Sequence, residues 1–181
     1  MTIPLTLILG GARSGKSDYA EKLAAQQGNQ VLYIATAEAG DQEMLDRIAA
    51  HQRARPSHWQ TLEAPRHVGP ALERLPDKPA VWLLDCLTLL VSNIILAMDQ
   101  EPTPVIEAAV QSELESILAT QVTQAAALII VSNEVGLGLV PSYTLGRLYR
   151  DILGRANQHL AARADQVIFM VAGLPMTLKG G

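Results

Sequence analysis

The residues best suited to chemistry form a glycine-rich segment near the start of the chain. GGARSGKS, residues 10–17, matches the pattern G-x-x-x-x-G-K-[ST] and lies between an apolar run and a helical pattern. In such a loop, backbone N–H groups surround a phosphate and the following helix adds its positive N-terminal end. Lys16 is expected to reach the β- and γ-phosphates and Ser17 to bind Mg²⁺. The context favours a nucleoside triphosphate site over a glycine-rich turn that precedes a helix by chance.

A loop of this kind needs an acidic residue at the end of a neighbouring strand, where it helps to hold the metal ion and its water shell. Asp85 closes the apolar run VWLLD and is the first candidate. Glu134, just after LIIVSN, is the second. Asp85 has an alternative role as the N-cap of the segment that follows it. We therefore expect Ser17 and Asp85 to hold Mg²⁺, partly through water.

A third candidate group lies in DQEMLDRIAAHQRAR, residues 41–55, which ends before Pro56. The pattern predicts a helix in which Arg47 and His51, four residues apart, share one side. Arginines beside a neutral imidazole suit attack on an anionic phosphorus, because they neutralise the phosphate and keep the nucleophile unprotonated. The same pattern fits a solvated basic helix edge, so spacing alone leaves both readings open. The other histidines have no such setting and are expected to be surface or packing residues: His58, His67 and His159.

The elements that must position these residues alternate along the chain. Short apolar runs fit strands that are buried on both faces of a parallel sheet: Leu5–Leu9, Val31–Ala35, Val81–Leu84, Leu128–Val131 and Val167–Val171, with Trp59–Leu62 as a further short strand. Helical patterns lie between them: Ser17–Gln27, Asp41–Arg53, Leu87–Met98, Pro104–Gln124 and Thr144–Ala164. The sequence therefore predicts an α/β fold, one P-loop domain over residues 1–181 with a largely parallel sheet flanked by helices.

Composition excludes several classes of protein. The chain has 181 residues, of which 49% are hydrophobic and 18% charged, so it is not a disordered protein. A net charge of −4 and 4% aromatic residues argue against a broad nucleic-acid surface. Cys86 is the single cysteine, which excludes an intrachain disulfide and a four-thiolate metal site. The N-terminus lacks a basic signal region, and polar residues interrupt Val81–Ala97, so we expect a soluble cytoplasmic protein.

Taken together, these segments resemble a known family, the bifunctional adenosylcobinamide kinase/adenosylcobinamide-phosphate guanylyltransferases of cobalamin biosynthesis. The resemblance runs from Gly10 to about Leu178. It rests on GGARSGKS, VLYIATA, RI-x-x-H-x-x-x-RP-x-x-W-x-T-x-E, VWLLDCLT, SNEVGLGLVP and GRANQHLA, in that order. Many unrelated nucleotide-binding proteins share the first motif. The histidine segment and the segment SNEVGLGLVP are far more specific.

The resemblance implies two reactions. In the first, ATP or GTP phosphorylates the aminopropanol hydroxyl of adenosylcobinamide. In the second, GTP guanylylates a histidine with release of pyrophosphate, and GMP then passes to adenosylcobinamide phosphate to give adenosylcobinamide-GDP. The family also implies a fold related to the RecA-like core and a small homo-oligomer such as a trimer, with the corrinoid near a subunit boundary. No nucleic-acid partner and no membrane span are expected.

The resemblance also implies the site residues. His51 matches the guanylylated histidine, and Lys16 is the other catalytic residue. The nucleotide-contacting positions match Gly10, Gly11, Ala12, Arg13, Ser14, Gly15, Lys16, Ser17, Ala35, Thr36, Ala37, Arg53, Ala54, Arg55, Pro56, Glu63 and Asp85. The family pattern supplies no catalytic base for the kinase step.

Three rival functions make different predictions. A simple P-loop kinase or ATPase would transfer phosphate without covalent enzyme-bound GMP, leaving His51 structural. A GTP-binding switch of the Ras-like kind would carry an N-K-x-D segment, and no Asn-Lys pair occurs in the sequence. A DNA-binding ATPase of RecA-like architecture shares the expected fold, but the acidic net charge and the scarcity of aromatic residues count against it.

Overall fold

A seven-stranded sheet forms the centre of the protein. The structure, a computed structural model, describes residues 4–38 and 56–180. The spatial order of the strands is β3-β2-β4-β5-β1-β6-β7, in which only β7 runs antiparallel to its neighbour. The strands are β1 Leu5–Gly10, β2 Val31–Ala35, β3 Gln60–Glu63, β4 Val81–Asp85, β5 Ala127–Val131, β6 Gln166–Val171 and β7 Leu174–Lys179.

Helices cover both faces of this sheet. They are α1 Lys16–Gln27, α2 Val68–Glu73, α3 Leu87–Ala97, α4 Thr103–Gln124 and α5 Thr144–Arg163. On one face, Ala20 and Ala24 of α1 join a buried cluster with alternate strand residues such as Ile8. On the other face, α2, α3, α4 and α5 share a larger core with the intervening residues, Leu7 and Leu9 among them. Burial on both faces explains why the central strands are continuous apolar runs.

The parallel register brings the ends of five strands into line at the carboxyl edge of the sheet. Ile8 pairs with Val131, and Val131 with Asp85. Asp85 pairs in turn with Ala35, and Ala35 with Glu63. Open α/β sheets bind ligands at this edge, and three of these residues are predicted site positions.

The six predicted strands are confirmed, and no strand end is shifted by more than one residue. The four predicted helices within the described residues are also confirmed, and α4 begins one residue earlier than expected. The predicted helix Asp41–Arg53 lies outside the described residues. Among the described helices, none combines the length and the apolar character that a membrane crossing requires.

Two elements, α2 and β7, were not predicted from the sequence. The six-residue helix α2 contains Gly69 and Pro70, which weaken any helical pattern. All residues of β7 are exposed, so it carries no burial pattern. A two-residue turn forms the hairpin to β6, and both of its residues, Ala172 and Gly173, have positive φ.

Candidate active site

The glycine-rich segment forms a loop between β1 and α1 at the carboxyl edge of the sheet. Gly10 and Gly15 both have positive φ, 155° and 90°. A Cβ at position 10 would lie 2.6 Å from the carbonyl oxygen of Met170 and 2.7 Å from Ser14 Oγ, so a side chain there collides with β6 and with the loop. Glycine at position 10 therefore lets the loop fold back closely on the strand.

The loop surrounds a cleft of about 330 Å³, which Arg13–Asp18 line. The first turn of α1 begins here, and its free N–H groups, its positive end and the lysine together suit an anion. Lys16 is 8% exposed, and its Nζ donates a hydrogen bond to the Gly11 carbonyl over 2.6 Å. Burial lowers the pKa of the ammonium below its usual range, while Cys86 and Asp85 act in the opposite direction. Asp85 and Cys86 thus lie close enough to Lys16 to raise the pKa of its ammonium.

Asp85 lies at the end of β4 and is held by Tyr33, which was not among the predicted site residues. The hydroxyl of Tyr33 donates a hydrogen bond to Asp85 Oδ2 over 2.7 Å. The alternative role of Asp85 as a helix N-cap is wrong, because Cys86 occupies the N-cap position of α3 and Asp85 remains in the strand. The one hydroxyl in the apolar run VLYIA was the available signal for Tyr33.

The segment after β2 is fixed to the same edge through Thr36, which is fully buried. Thr36 Oγ1 accepts a hydrogen bond from the Cys86 N–H and donates one to the Cys86 carbonyl, at 2.8 and 2.7 Å. The side-chain amide of Asn93 on α3 donates to the Thr36 carbonyl over 2.8 Å. Ala35 and Ala37 flank this residue and are half-buried. The predicted positions 35–37 therefore lie directly beside Asp85, with a backbone that both α3 and the β4–α3 junction hold.

The two remaining acidic candidates lie at different places on the edge. Glu63 is exposed at the end of β3 and pairs in register with Ala35. Glu134 follows β5, and its N–H donates to the carbonyl of Gly10 over 3.1 Å, which places it against the first residue of the loop. The structure thus brings Asp85 and Glu134 to the loop from neighbouring strands.

Four predicted site positions lie outside the described residues: His51, Arg53, Ala54 and Arg55. Pro56 is described and exposed. Of the other histidines, His58 is exposed and His67 is largely exposed at the start of α2. His159 on α5 is mostly buried and lies 2.9 Å from Glu115 Oε1 on α4. These three are surface and packing residues, as the sequence predicted.

The oxygen donors near the loop match the preference of Mg²⁺ for hard ligands. Ser17 is the second residue of α1 and is half-buried beside Lys16. Asp85 offers a carboxylate in the neighbourhood of the same lysine. Within residues 4–38 and 56–180, no three His, Cys, Asp or Glu side chains group as an all-protein metal cage. Mg²⁺ that is bound with a nucleotide usually has one or two oxygen ligands from the protein. Water and phosphate oxygens supply the others.

A glycine-rich loop between the first strand and first helix of a largely parallel sheet defines a P-loop nucleotide-binding protein. Its solved structural neighbours include the RadB recombinase, with a TM-score of 0.52 at 15% identity over 92% of this chain and 74% of that one. The flagellar accessory protein FlaH of Methanocaldococcus jannaschii gives a TM-score of 0.53 at 14% identity over 99% and 79%. These likenesses confirm the RecA-like core.

The family follows from sequence. Residues 6–178 match the model of the CobU family, cobinamide kinase / cobinamide phosphate guanyltransferase, and the chain belongs to this family. The bifunctional adenosylcobalamin biosynthesis protein CobP of Pseudomonas aeruginosa is 47% identical over 174 residues, which are 96% of each chain. The protein named CobU in Salmonella typhimurium is 41% identical over 97% of this chain and 99% of its own, and that of Escherichia coli 39% over the same shares. The resemblance found in the motifs is thereby confirmed.

Proposed function

We propose that this protein phosphorylates adenosylcobinamide on its aminopropanol hydroxyl with ATP or GTP and then transfers GMP from GTP to the product. The products are adenosylcobinamide-GDP and pyrophosphate. Membership of the cobinamide kinase / cobinamide phosphate guanyltransferase family over residues 6–178 supports both activities. The observation that carries the nucleotide chemistry is the buried Lys16 inside a glycine-rich loop, close to Asp85.

In this proposal, the loop and its surroundings bind the nucleotide. The backbone N–H groups of residues 10–17 surround the phosphates, and the ammonium of Lys16 neutralises charge that develops on phosphoryl oxygens. Positions 35–37, 53–56, Glu63 and Asp85 complete the nucleotide site. Ser17 and Asp85 would hold Mg²⁺, which when bound supplies further neutralisation of phosphate charge.

His51 is the proposed nucleophile of the second reaction. Its imidazole nitrogen forms a bond to the α-phosphorus of GTP, and pyrophosphate leaves with the electrons of the broken P–O bond. A P–N bond keeps a high transfer potential, so GMP is readily passed on to a phosphate acceptor. The neighbouring Arg53 and Arg55 would stabilise charge on the phosphoryl oxygens and on the leaving pyrophosphate. The second candidate function, a P-loop kinase without covalent GMP, differs from the first in this step alone.

The test is retention of label from GTP that carries ³²P at the α-phosphate. The protein is incubated with Mg²⁺ and this GTP without corrinoid and is then denatured. We expect acid-labile, alkali-stable label on the wild type and none on His51→Ala. His58→Ala, which removes an exposed histidine seven positions away, is the matched control and should label like the wild type.

Lys16→Met tests the contribution of the nucleotide loop, as distinct from that of the histidine nucleophile. It should lower the rates of labelling and of kinase turnover together, by about 10²–10³, because both reactions develop charge on phosphoryl oxygens. Lys22→Met, an exposed lysine on the same helix, is its control. The wild-type protein could bind nucleotide and phosphorylate cobinamide but retain no label. That result would support the kinase function alone and refute the guanylyl transfer.

Two further predictions concern partners. Adenosylcobinamide and its phosphate are the proposed acceptors, and nucleic acid is not a partner. The expected assembly is a small homo-oligomer, such as a trimer, with the corrinoid near a subunit boundary. Equilibrium sedimentation of the full chain measures the assembly directly, and a monomer at working concentration would contradict this prediction.

A further inference from the structure

Two of the segments that carry the family resemblance supply none of the predicted nucleotide-contacting residues. They are SNEVGLGLVP, residues 132–141, and GRANQHLA, residues 154–161. In the structure they meet at a cleft of about 480 Å³ between the carboxyl end of β1 and helix α5. Glu134 and Gly136 line it from the first segment, Gly154, Asn157 and Gln158 from the second, and Leu9 from β1. This cleft is distinct from the one that the glycine-rich loop surrounds.

A buried hydrogen-bond network ties the two segments together. Ser132 Oγ donates to Asn157 Oδ1 over 2.7 Å, and Asn157 Nδ2 donates to the carbonyl of Asn133 over 3.0 Å. The N–H of Asn133 donates to Thr88 Oγ1 over 2.8 Å. Ser132 and Asn157 are 0% and 5% exposed. Satisfied buried networks fix one local geometry, and this one fixes the backbone immediately before Glu134.

Glu134 itself joins the cleft to the nucleotide loop. Its N–H donates to the carbonyl of Gly10, the first residue of the loop, over 3.1 Å. Its Oε1 accepts the N–H of Gly136 over 2.6 Å, which sets the orientation of the carboxylate. The side chain is half-buried and lines the cleft. The Glu134 carboxylate therefore lies at the boundary between the predicted phosphate site and an adjacent cavity.

The helix side of the cleft carries a glycine that packing within the described chain does not require. A Cβ at Gly154 would meet no atom of residues 4–38 or 56–180 within 4 Å. Glycine inside a helix costs about 1 kcal/mol relative to alanine. Its place on the cleft wall is explained if a molecule approaches the helix backbone there.

We propose that Glu134 is the general base of the kinase reaction and that this cleft holds the aminopropanol arm of cobinamide. The inference rests on the proposed kinase function. The hydroxyl oxygen of the arm forms a bond to the γ-phosphorus while the bond from that phosphorus to the β–γ bridging oxygen breaks. The bridging electrons leave with the nucleoside diphosphate. The Glu134 carboxylate takes the hydroxyl proton and later returns it to water.

Glu134→Gln tests the base, because glutamine keeps the size of the side chain and an oxygen that can accept the Gly136 N–H. We expect kinase turnover to fall by about 10²–10⁴. Labelling of the enzyme by α-³²P GTP without corrinoid should stay at the wild-type rate, because that half-reaction has no hydroxyl to deprotonate. Glu101→Gln, an exposed acid in the α3–α4 loop, is the control and should change neither rate.

Comparing kinase turnover with enzyme labelling distinguishes a general base from a residue of the shared nucleotide site. If Glu134→Gln lowers labelling and kinase turnover equally, Glu134 serves the shared nucleotide or metal site and the proposal is overturned. Kinase turnover within threefold of the wild type overturns it as well. A wild-type protein without kinase activity would refute the proposed function, and the base with it.

Gly154→Leu tests the cleft independently of the carboxylate. Because space is open at this position, leucine should fill the cleft without disturbing the fold. We expect the KM for cobinamide to rise at least about tenfold, with nucleotide KM and enzyme labelling unchanged; about 1.4 kcal/mol of binding corresponds to that factor. Ala162→Leu, on an exposed part of the same helix, is the matched control. An unchanged KM for cobinamide in Gly154→Leu would place the acceptor elsewhere.

Discussion

At the scale of single residues, burial acts in opposite directions on two neighbours of the nucleotide loop. It lowers the pKa of Lys16, because the ammonium loses water, and raises the pKa of Cys86 from 9.0 to about 11. The Asp85 carboxylate opposes the first effect and reinforces the second. The thiol of Cys86 is therefore neutral at neutral pH.

Cys86 should accordingly react slowly with alkylating reagents. At pH 8 a thiol with a pKa of about 11 has roughly a hundredfold less thiolate than one at 9.0, and the thiolate is the nucleophile. We expect iodoacetamide to alkylate the native protein at least about a hundredfold more slowly than protein unfolded in guanidinium. Mass spectrometry of the intact chain measures both rates, and the single cysteine makes the site unambiguous.

The pH dependence distinguishes ionisation from restricted access. The native rate should keep rising above pH 9, whereas the unfolded rate levels off there, because the folded thiol retains its proton up to about 11. Over the same window the unfolded state binds fewer protons than the folded state, so stability falls as pH rises from 9 to 11. A native rate that levels off near pH 9 would contradict the shift.

The site residues themselves were easier to predict from the sequence than the residues with which they form hydrogen bonds. GGARSGKS and the strand-terminal Asp85 are readable because local pattern and chain position define them. The bond from Tyr33 to Asp85 depends on the register between β2 and β4, and that from Ser132 to Asn157 on the packing of α5. Contacts between residues 52 and 25 positions apart leave no local signal.

At the scale of elements, α2 and α4 approach each other closely at one glycine. A Cβ at Gly69 would lie 2.0 Å from Ser116 Oγ and 2.9 Å from its backbone carbon. The carboxylate of Glu113 on α4 accepts the N–H of Val68 over 2.6 Å and that of His67 over 3.2 Å, which caps α2. The short helix is thus held by α4 rather than by its own propensity, which explains why the sequence analysis missed it.

Alanine at two helical glycines should therefore have opposite effects on stability. Gly69→Ala forces α2 away from α4, and such overpacking costs about 1–3 kcal/mol. Gly154→Ala meets no atom of the described chain within 4 Å and should stabilise the protein by up to about 1 kcal/mol. Urea unfolding followed by circular dichroism measures both changes. Equal destabilisation by the two substitutions would refute the close approach at Gly69.

The strands and long helices were predictable because their burial is regular. Continuous apolar runs indicate strands covered on both faces, and the structure confirms that arrangement for the central strands. The edge strand β7 is exposed along its whole length and, among the strands of residues 4–38 and 56–180, pairs with β6 alone. Its single signal is the turn at Ala172–Gly173, where both residues have positive φ. Elements without a buried face therefore escape prediction from hydrophobic pattern.

At the scale of the whole molecule, the fold and the function point to different relatives. The RecA-like core is shared with the RadB recombinase and with FlaH at 15% and 14% identity, whereas the family relatives share 39–47% of the sequence. Many functions use one fold, so the site and the family decide between them. The predicted fold followed from the alternation of strands and helices, but only the specific segments identified the family.

The net charge of the chain tests whether it shares only the fold, or also a DNA-binding function, with an ATPase of RecA-like architecture. Non-specific DNA binding depends on neutralising several phosphates with Lys and Arg, and this chain carries 14 such residues against 18 acidic ones. We expect no saturable binding to single-stranded or duplex DNA tighter than about 10⁻⁴ M at about 50 mM salt, with or without Mg²⁺ and nucleotide. Fluorescence anisotropy of a labelled oligonucleotide checks this, on protein that has first passed the α-³²P labelling assay. Binding that weakens steeply as salt rises would show that the chain has a nucleic-acid surface, and would require a second ligand beside the nucleotide.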